Sequence, residues 1–213
     1  MSEPRSVLVL GGGTAGWLTA AYLAVTVGKT RGVTVTLVES PDIGVIGVGE
    51  ATIPSLRNTL SDLGIPEAEF LFGVNGACKQ AIKFQDWAAD PAVRRTHFYH
   101  PFDLGKEADI HAAVQHLYLM GDYAPEAFAR LVTAQVLACD AGKAPRTMPG
   151  VTEGFGYAYH MDAILFGRFL RSRFEGRGVT RHEGEVREVV RKEEGGIASV
   201  VLANGDVLSA DLF

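Results

Sequence analysis

The chain has 213 residues, 47% of them hydrophobic and 21% charged, with a formal net charge of −5. That size admits one full core, or one domain plus part of another, and the composition is that of a soluble globular protein. No lysine–arginine run forms a stripe, so nucleic acid is not an expected partner. No stretch approaches the ~18 apolar residues of a membrane span.

Residues 1–5 are short and polar, and the apolar run after them ends in glycines, which predicts a first strand rather than a signal peptide. The two cysteines, Cys78 and Cys139, form no Cys-x-x-Cys pair and point to a reducing compartment, with the cytoplasm as the default. Residues 6–10 form a continuous apolar run bounded by glycines, as a buried parallel strand does. The turn Gly11-Gly12-Gly13-Thr14-Ala15-Gly16 follows, and residues 14–27 read as a helix with Ala15, Leu18, Ala21, Tyr22 and Val25 near one face, closed by Gly28. Residues 33–38 read as a second strand ending at Glu39. Strand, glycine turn, helix and strand make a βαβ unit whose helix amides at Thr14, Ala15 and Gly16 would meet a pyrophosphate. Glu39, roughly 20 residues past the turn, has the usual spacing of a carboxylate on ribose hydroxyls. The alternative for Glu39 is a solvated strand end, and the motif by itself does not separate NAD from FAD.

Residues 40–51 read as a loop carrying a second, rarer glycine turn, Gly47-Val48-Gly49-Glu50-Ala51-Thr52-Ile53-Pro54. A Gly-x-Gly pair lets backbone run against a flat ligand, and Glu50 sets a carboxylate beside that contact. Thr52 reads as an N-cap and Pro54 as a first-turn proline for a helix over 53–63, stopped by Gly64-Ile65-Pro66. Residues 75–87 carry partial period-2 alternation and predict a strand with Lys79, Ala81 and Lys83 on one face, where a lysine is ordinarily solvated. Residues 90–106 read as turn-like, with aromatics at Phe98, Tyr99 and Phe102.

Helical patterns cover 111–120 and 125–139, a loop 141–155, and a further helix 162–174 with Leu165, Phe169 and Leu170 on a similar face. Short strands are expected at 179–182, 185–191, 197–202 and 206–213, with Asn204-Gly205 as a hairpin turn between the last two. The final strand stops while still apolar, exposing an unpaired edge, which reads as the N-terminal part of something longer. The fold class is α/β with an antiparallel excursion. His160 and Asp162 open a helix and have no third partner at zinc spacing, so no metal site is expected.

Three separated motifs, in order, now carry a resemblance. Val9-Leu10-Gly11-Gly12-Gly13-Thr14-Ala15-Gly16-Trp17, then the turn from Gly47 to Pro54, then Lys79-Gln80-Ala81-Ile82-Lys83-Phe84 together resemble the flavin-dependent tryptophan halogenase family. The similarity continues through His97-Phe98-Tyr99-His100-Pro101-Phe102 and Tyr157-Ala158-Tyr159-His160-Met161-Asp162 to Ala210-Asp211-Leu212-Phe213, with weak matching from Leu104 to Gly154. It implies a Rossmann-like FAD-binding fold of the flavin monooxygenase type. It also implies FAD taken as FADH2 from a separate flavin reductase, with dioxygen and halide giving hypohalous acid, and a small electron-rich aromatic as substrate. The resemblance leaves a homodimer open.

By position in the motifs, Lys79 matches the lysine that directs halogen at the substrate end. Gly11, Gly13, Thr14, Ala15, Gly16, Glu39, Val48, Gly49, Glu50 and Ala51 match cofactor positions. Residues 40–50 match a strap between flavin and substrate pockets, with Glu50 as a coupling residue. His100 and Phe102 match positions flanking the substrate ring, for which ordinary aromatic packing is the alternative. Val186 falls where such flavoproteins hold adenine by backbone contacts. An ammonium at Lys79 can polarise hypohalous acid and a neutral amine can form a haloamine; either role wants a partly desolvated lysine. The family's Trp-x-Trp-x-Ile-Pro signature and second catalytic glutamate have no match in these residues, so the chain alone is expected to be inactive. A flavin-dependent hydroxylase and a non-catalytic nucleotide-binding piece are the competing readings.

Overall fold

The computed structural model describes residues 3–43, 47, 49–86, 97–103, 108–121, 127–145 and 154–213. In chain order these carry β1 (Ser6–Leu10), α1 (Thr14–Leu23), a π-helical turn (Ala24–Gly28), α2 (Lys29–Arg31), β2 (Thr34–Glu39), β3 (Gly49–Ala51), α3 (Ser55–Asp62), α4 (Glu67–Gly73), β4 (Ala77–Lys79), β5 (Ala81–Gln85) and β6 (His97–Pro101). There follow α5 (Ala108–Met120), α6 (Ala127–Val132), α7 (Ala134–Asp140), β7 (Ala158–Asp162), α8 (Ala163–Phe174), β8 (Val179–Glu183), β9 (Val186–Arg191), β10 (Ile197–Leu202) and β11 (Val207–Leu208). The chain divides into two compact units, one of Met1–Glu50, Asn58–Gly76 and Met161–Phe213, the other of Ala51–Arg57 and Ala77–His160.

In the first unit β1, β2 and β8 form a parallel sheet in the order β1-β2-β8. The register runs from Ser6↔Thr34 to Leu10↔Val38 and from Val35↔Val179 to Glu39↔Glu183. The crossover helix buries Trp17, Ala20, Ala21 and Ala24, a stripe spaced i, i+3, i+4, i+7. This corrects the expected face: Ala15 and Tyr22 are exposed, because the small alanines, not the larger side chains, let the helix lie close to its neighbours. Gly28 does not close the helix either. It stays right-handed at φ −60°, and the chain turns out only at Gly32, in the left-handed region at φ 68°.

Helix α8 likewise buries Ala163, Phe166, Gly167, Leu170 and Phe174, a stripe that shares only Leu170 with the expected one. Phe166 meets the edge of Phe70 from α4 at 5.2 Å between ring centroids. Asp162 caps α8, its carboxylate accepting from the Leu165 amide at 2.9 Å. The meander β9-β10-β11 is antiparallel and packs Val200 and Leu202 on Leu8 and Val38 of the parallel sheet, with Val186, Leu208 and Phe213 at the margin.

The strand expected over 206–213 is only Val207–Leu208. Beyond it the chain crosses to β1, where the Leu8 amide donates to the Leu212 carbonyl at 2.9 Å and Leu212 bridges Val7 in parallel. The Asp211 carboxylate fixes that course, accepting from the amides of Arg5 at 2.8 Å and Ser6 at 2.9 Å and from the Ser6 hydroxyl at 3.0 Å.

In the second unit β4 pairs antiparallel with the start of β7, from Ala77↔His160 to Lys79↔Ala158. β5 and β6 form a hairpin from Ala81↔Pro101 to Gln85↔His97. The single strand expected over 75–87 thus breaks at Gln80. Its side chain turns inward, Nε2 donating to the Lys143 carbonyl at 2.6 Å, and its own carbonyl accepts from the Phe102 amide at 3.0 Å.

The segment expected to be turn-like contains β6, where Phe98 stacks on Phe84 at 4.7 Å. The helix expected over 125–139 splits at Thr133, which is extended at φ −151° and accepts from the Gln135 amide at 3.1 Å. Parts of the expected segments at 87–96, 104–107 and 146–153 lie outside the described residues. Among those described, no helix is long and apolar enough to cross a membrane.

Candidate active site

The glycine turn of the first unit is built as a dinucleotide site requires. Gly11 has φ +113° and lies between β1 and the start of α1. A Cβ on Gly16 would stand 1.9 Å from the Gly11 carbonyl oxygen, so no other residue lets the helix approach the turn this closely. Among the described residues no side chain caps α1 at Gly13, and a Cβ at Gly13 would meet nothing within 4 Å. The first-turn amides of Thr14, Ala15 and Gly16 therefore sit at an uncapped helix N-terminus suited to a pyrophosphate. The Thr14 side chain is engaged elsewhere, its hydroxyl donating to the Ala163 carbonyl at 2.8 Å.

Glu39, at the end of β2, folds over this turn. Its Oε2 accepts from the Trp17 indole Nε1 at 3.2 Å and is the atom that a Cβ on Gly12 would strike, at 1.7 Å. Its Oε1 accepts from Arg181 Nε and lies 3.2 Å from Arg171 Nη1. Glu39 is therefore not a solvated strand end: its side chain is 12% exposed and bound on three sides. Carboxylate, amides and glycines fit the adenosine and pyrophosphate of a dinucleotide such as FAD. Val186 opens β9 beside that sheet, half-buried against the Leu8–Leu202 cluster. Gly49, Glu50 and Ala51 lie in β3 and are all exposed; Val48 is outside the described residues.

Lys79 ends β4 in the second unit and is 8% exposed, the desolvated lysine that the resemblance calls for and not the solvated one that strand pattern alone suggests. The break at Gln80 takes it off any face shared with Lys83, whose side chain is 37% exposed. Lys79 Nζ donates to the Thr52 carbonyl at 3.0 Å and lies 5.2 Å from the centroid of the Phe102 ring. Phe102 in turn meets His100 edge-on at 6.5 Å. The structure so brings together three residues singled out from the sequence, with His100 the exposed member.

Thr52 is not the helix cap expected of it. Its hydroxyl accepts from the Tyr159 amide at 3.0 Å and its own amide donates to the Tyr159 carbonyl at 2.9 Å, which fixes the carbonyl that receives Lys79. Helix α3 starts later, at Ser55.

Sequence reading missed the residues that hold these groups in place. Fully buried Gln135 accepts from the Asp103 amide at 2.9 Å and donates to the Gly156 carbonyl at 2.6 Å, fixing the segment next to Phe102. Its only signal was Thr133 two residues earlier, a capping residue inside an apolar helical run. Arg181 carried no signal, because its role depends on the β2–β8 register. His160 is exposed and pairs across from Ala77. No group of three or more metal-ligating side chains occurs among the described residues.

A glycine turn behind a parallel strand, an uncapped helix above it and a carboxylate folded across it define an α/β protein of the Rossmann dinucleotide-binding type. The chain belongs to the tryptophan halogenase family, whose family model matches residues 6–213. Tryptophan 7-halogenase RebH of Lentzea aerocolonigenes is 39% identical over 97% of this chain and 41% of its own length. Tryptophan 6-halogenase SttH of Streptomyces toxytricini is 34% identical over 99% of this chain and 43% of its own. The solved structure of Xcc4156, a flavin-dependent halogenase from Xanthomonas campestris, superposes with a TM-score of 0.78 at 37% identity, covering 99% of this chain and 41% of that one. The chain thus spans 41–43% of the length of these relatives.

Proposed function

We propose that this chain forms the cofactor-binding and lysine-bearing portion of a flavin-dependent halogenase that acts on an electron-rich aromatic such as tryptophan or indole. The observation that carries the reading is the buried amine of Lys79, held by a backbone carbonyl beside an aromatic ring. The Gly11–Gly16 turn, the Thr14–Gly16 amides and Glu39 would hold FAD, with Val48–Ala51 and Val186 as further contacts. When bound, FADH2 from a separate reductase supplies the two electrons that let dioxygen oxidise chloride or bromide to hypohalous acid.

Lys79 then acts through its donors. One of the three goes to Thr52, and among the described residues no other acceptor takes the remainder. A donor directed at the oxygen of hypohalous acid draws electron density from the halogen, and the anchored geometry sets which aromatic carbon it meets. Phe102 and His100 present the faces against which that ring would lie. A cytoplasmic location and a homodimer complete the proposal; light scattering on purified protein tests the latter.

The deciding experiment supplies the full-length halogenase, of which this chain would form a portion, with a flavin reductase, FAD, NADH, oxygen and bromide, and screens aromatics by mass spectrometry for bromine isotope pairs. Brominated arenes are expected. Hydroxylated products without halogen would place the protein among flavin hydroxylases instead.

A further inference from the structure

We propose that Arg181 is the positioning residue that aims the Glu39 carboxylate at the ribose of a bound dinucleotide; this rests on the dinucleotide reading above. The parallel β2–β8 register sets Glu39 directly across from Glu183. Like charges so opposed in neighbouring strands repel, and left alone the two side chains would splay apart. Arg181, two residues before Glu183, closes the gap: Nε donates to Glu39 Oε1 and Nη2 to Glu183 Oε2. Its Nη1 stands 3.8 Å from Glu175 Oε1, a third carboxylate on the same guanidinium. The Arg181 side chain is 12% exposed, as is that of Glu39, so this contact is screened far less than a surface pair.

The division of labour between the two oxygens of Glu39 gives the arrangement its purpose. Both arginines converge on Oε1, Arg171 from 3.2 Å. Among the described residues, Oε2 takes only the Trp17 indole donor at 3.2 Å, and it lies against Gly12 in the turn itself. A carboxylate oxygen accepts two hydrogen bonds, so Oε2 keeps capacity for a ribose hydroxyl at the place where the turn would receive one. A lysine at 181 would bring the charge without the planar fork that spans Glu39 and Glu183 together.

The test is flavin-fluorescence titration of purified protein with FAD and with FMN, which lacks the adenosine half. Arg181→Met is expected to weaken FAD binding about tenfold or more, the loss of one charge-assisted hydrogen bond, and to leave FMN binding unchanged. Arg181→Lys should recover only part of the loss. Glu39→Gln should match Arg181→Met, and the double variant should be no worse than either, because both remove the same aimed oxygen. Arg181→Met/Glu183→Gln removes one charge of each sign; it is expected to melt close to wild type and still to bind FAD weakly. FAD binding within twofold of wild type in either Arg181→Met variant, or additive losses in the Glu39 double variant, overturns the proposal alone. Wild-type protein with no preference for FAD over FMN overturns the dinucleotide reading, and the proposal with it.

Discussion

Lys79 and Lys83 lie on consecutive strands, yet one amine is buried on a carbonyl and the other reaches half-exposed toward Asp140, 4.0 Å away. That difference separates their expected roles. Lys79→Ala should abolish arene halogenation while NADH-driven flavin turnover continues, and Lys83→Ala should leave product formation near wild type. Product from Lys79→Ala at the wild-type rate would reduce Lys79 to a packing residue.

The Asp140 cluster has a different use. The Tyr99 hydroxyl donates to Asp140 Oδ1 at 2.5 Å and Arg130 Nη2 lies 2.5 Å from Oδ2. Burial, reinforced by the bond to Asp140, pushes the Tyr99 hydroxyl from 10.0 up to about 12. The Tyr99 bond, with Arg130 and Lys83, holds the Asp140 carboxyl below its ordinary 3.8. The lowered carboxyl contributes stability above 3.8 that is lost as pH falls through its folded value. The raised phenol contributes stability below pH 10.0 that is lost as pH rises through about 12. The melting-temperature gap between wild type and Tyr99→Phe should therefore be widest at intermediate pH and close at both extremes. A gap that does not change with pH would refute the coupling.

At the level of elements, the two glycines flanking Gly13 meet different neighbours and should fail differently. A Cβ at Gly16 meets backbone, the Gly11 carbonyl at 1.9 Å, so helix and strand must separate. Gly16→Ala is expected to cost about 1–3 kcal/mol or more in urea unfolding. A Cβ at Gly12 meets the Glu39 side chain, Oε2 at 1.7 Å and Cβ at 2.4 Å, so the carboxylate must leave the turn and the end of β2 must shift with it. Gly12→Ala should thus lose FAD affinity together with stability, because the Glu39 contacts go with it; unchanged FAD affinity would contradict the placement of Glu39.

The βαβ unit was legible because the signals in it are local: β1 falls on the residues its apolar run predicts, as β10 does in the meander. The failures came where distant residues decided. Gly28 looked like a helix end, but chain direction is set at Gly32, four residues on, where φ turns positive. β6 was unreadable because His97-Phe98-Tyr99-His100 offers no alternation of polar and apolar side chains, and its pairing with β5 supplies the order. At the site, Lys79, Phe102 and His100 were found from their motifs. The burial of Lys79 was implied by the resemblance but not by the strand pattern, since it depends on Gln80 turning inward toward a carbonyl 63 positions away.

For the molecule as a whole, the informative feature is the seam between the chain's first strand and its last residues. The Asp211 carboxyl is held below its usual range chiefly by the Arg5 amide and then by Ser6, across separations of 206 and 205 residues. Asp211→Ala should release that seam, lowering the melting temperature and speeding amide exchange at Leu8, whose donor pairs with Leu212. Unchanged protection at Leu8 would show that Leu212 docks without it. The seam also sets an order of events during synthesis. β1 is made about 205 residues before the segment that pairs with it, so its outer edge waits for that neighbour some 10–40 seconds at ordinary elongation rates. Until then that edge is open to any passing strand, so the nascent chain has most need of a chaperone in the interval between the making of β1 and the making of Leu212.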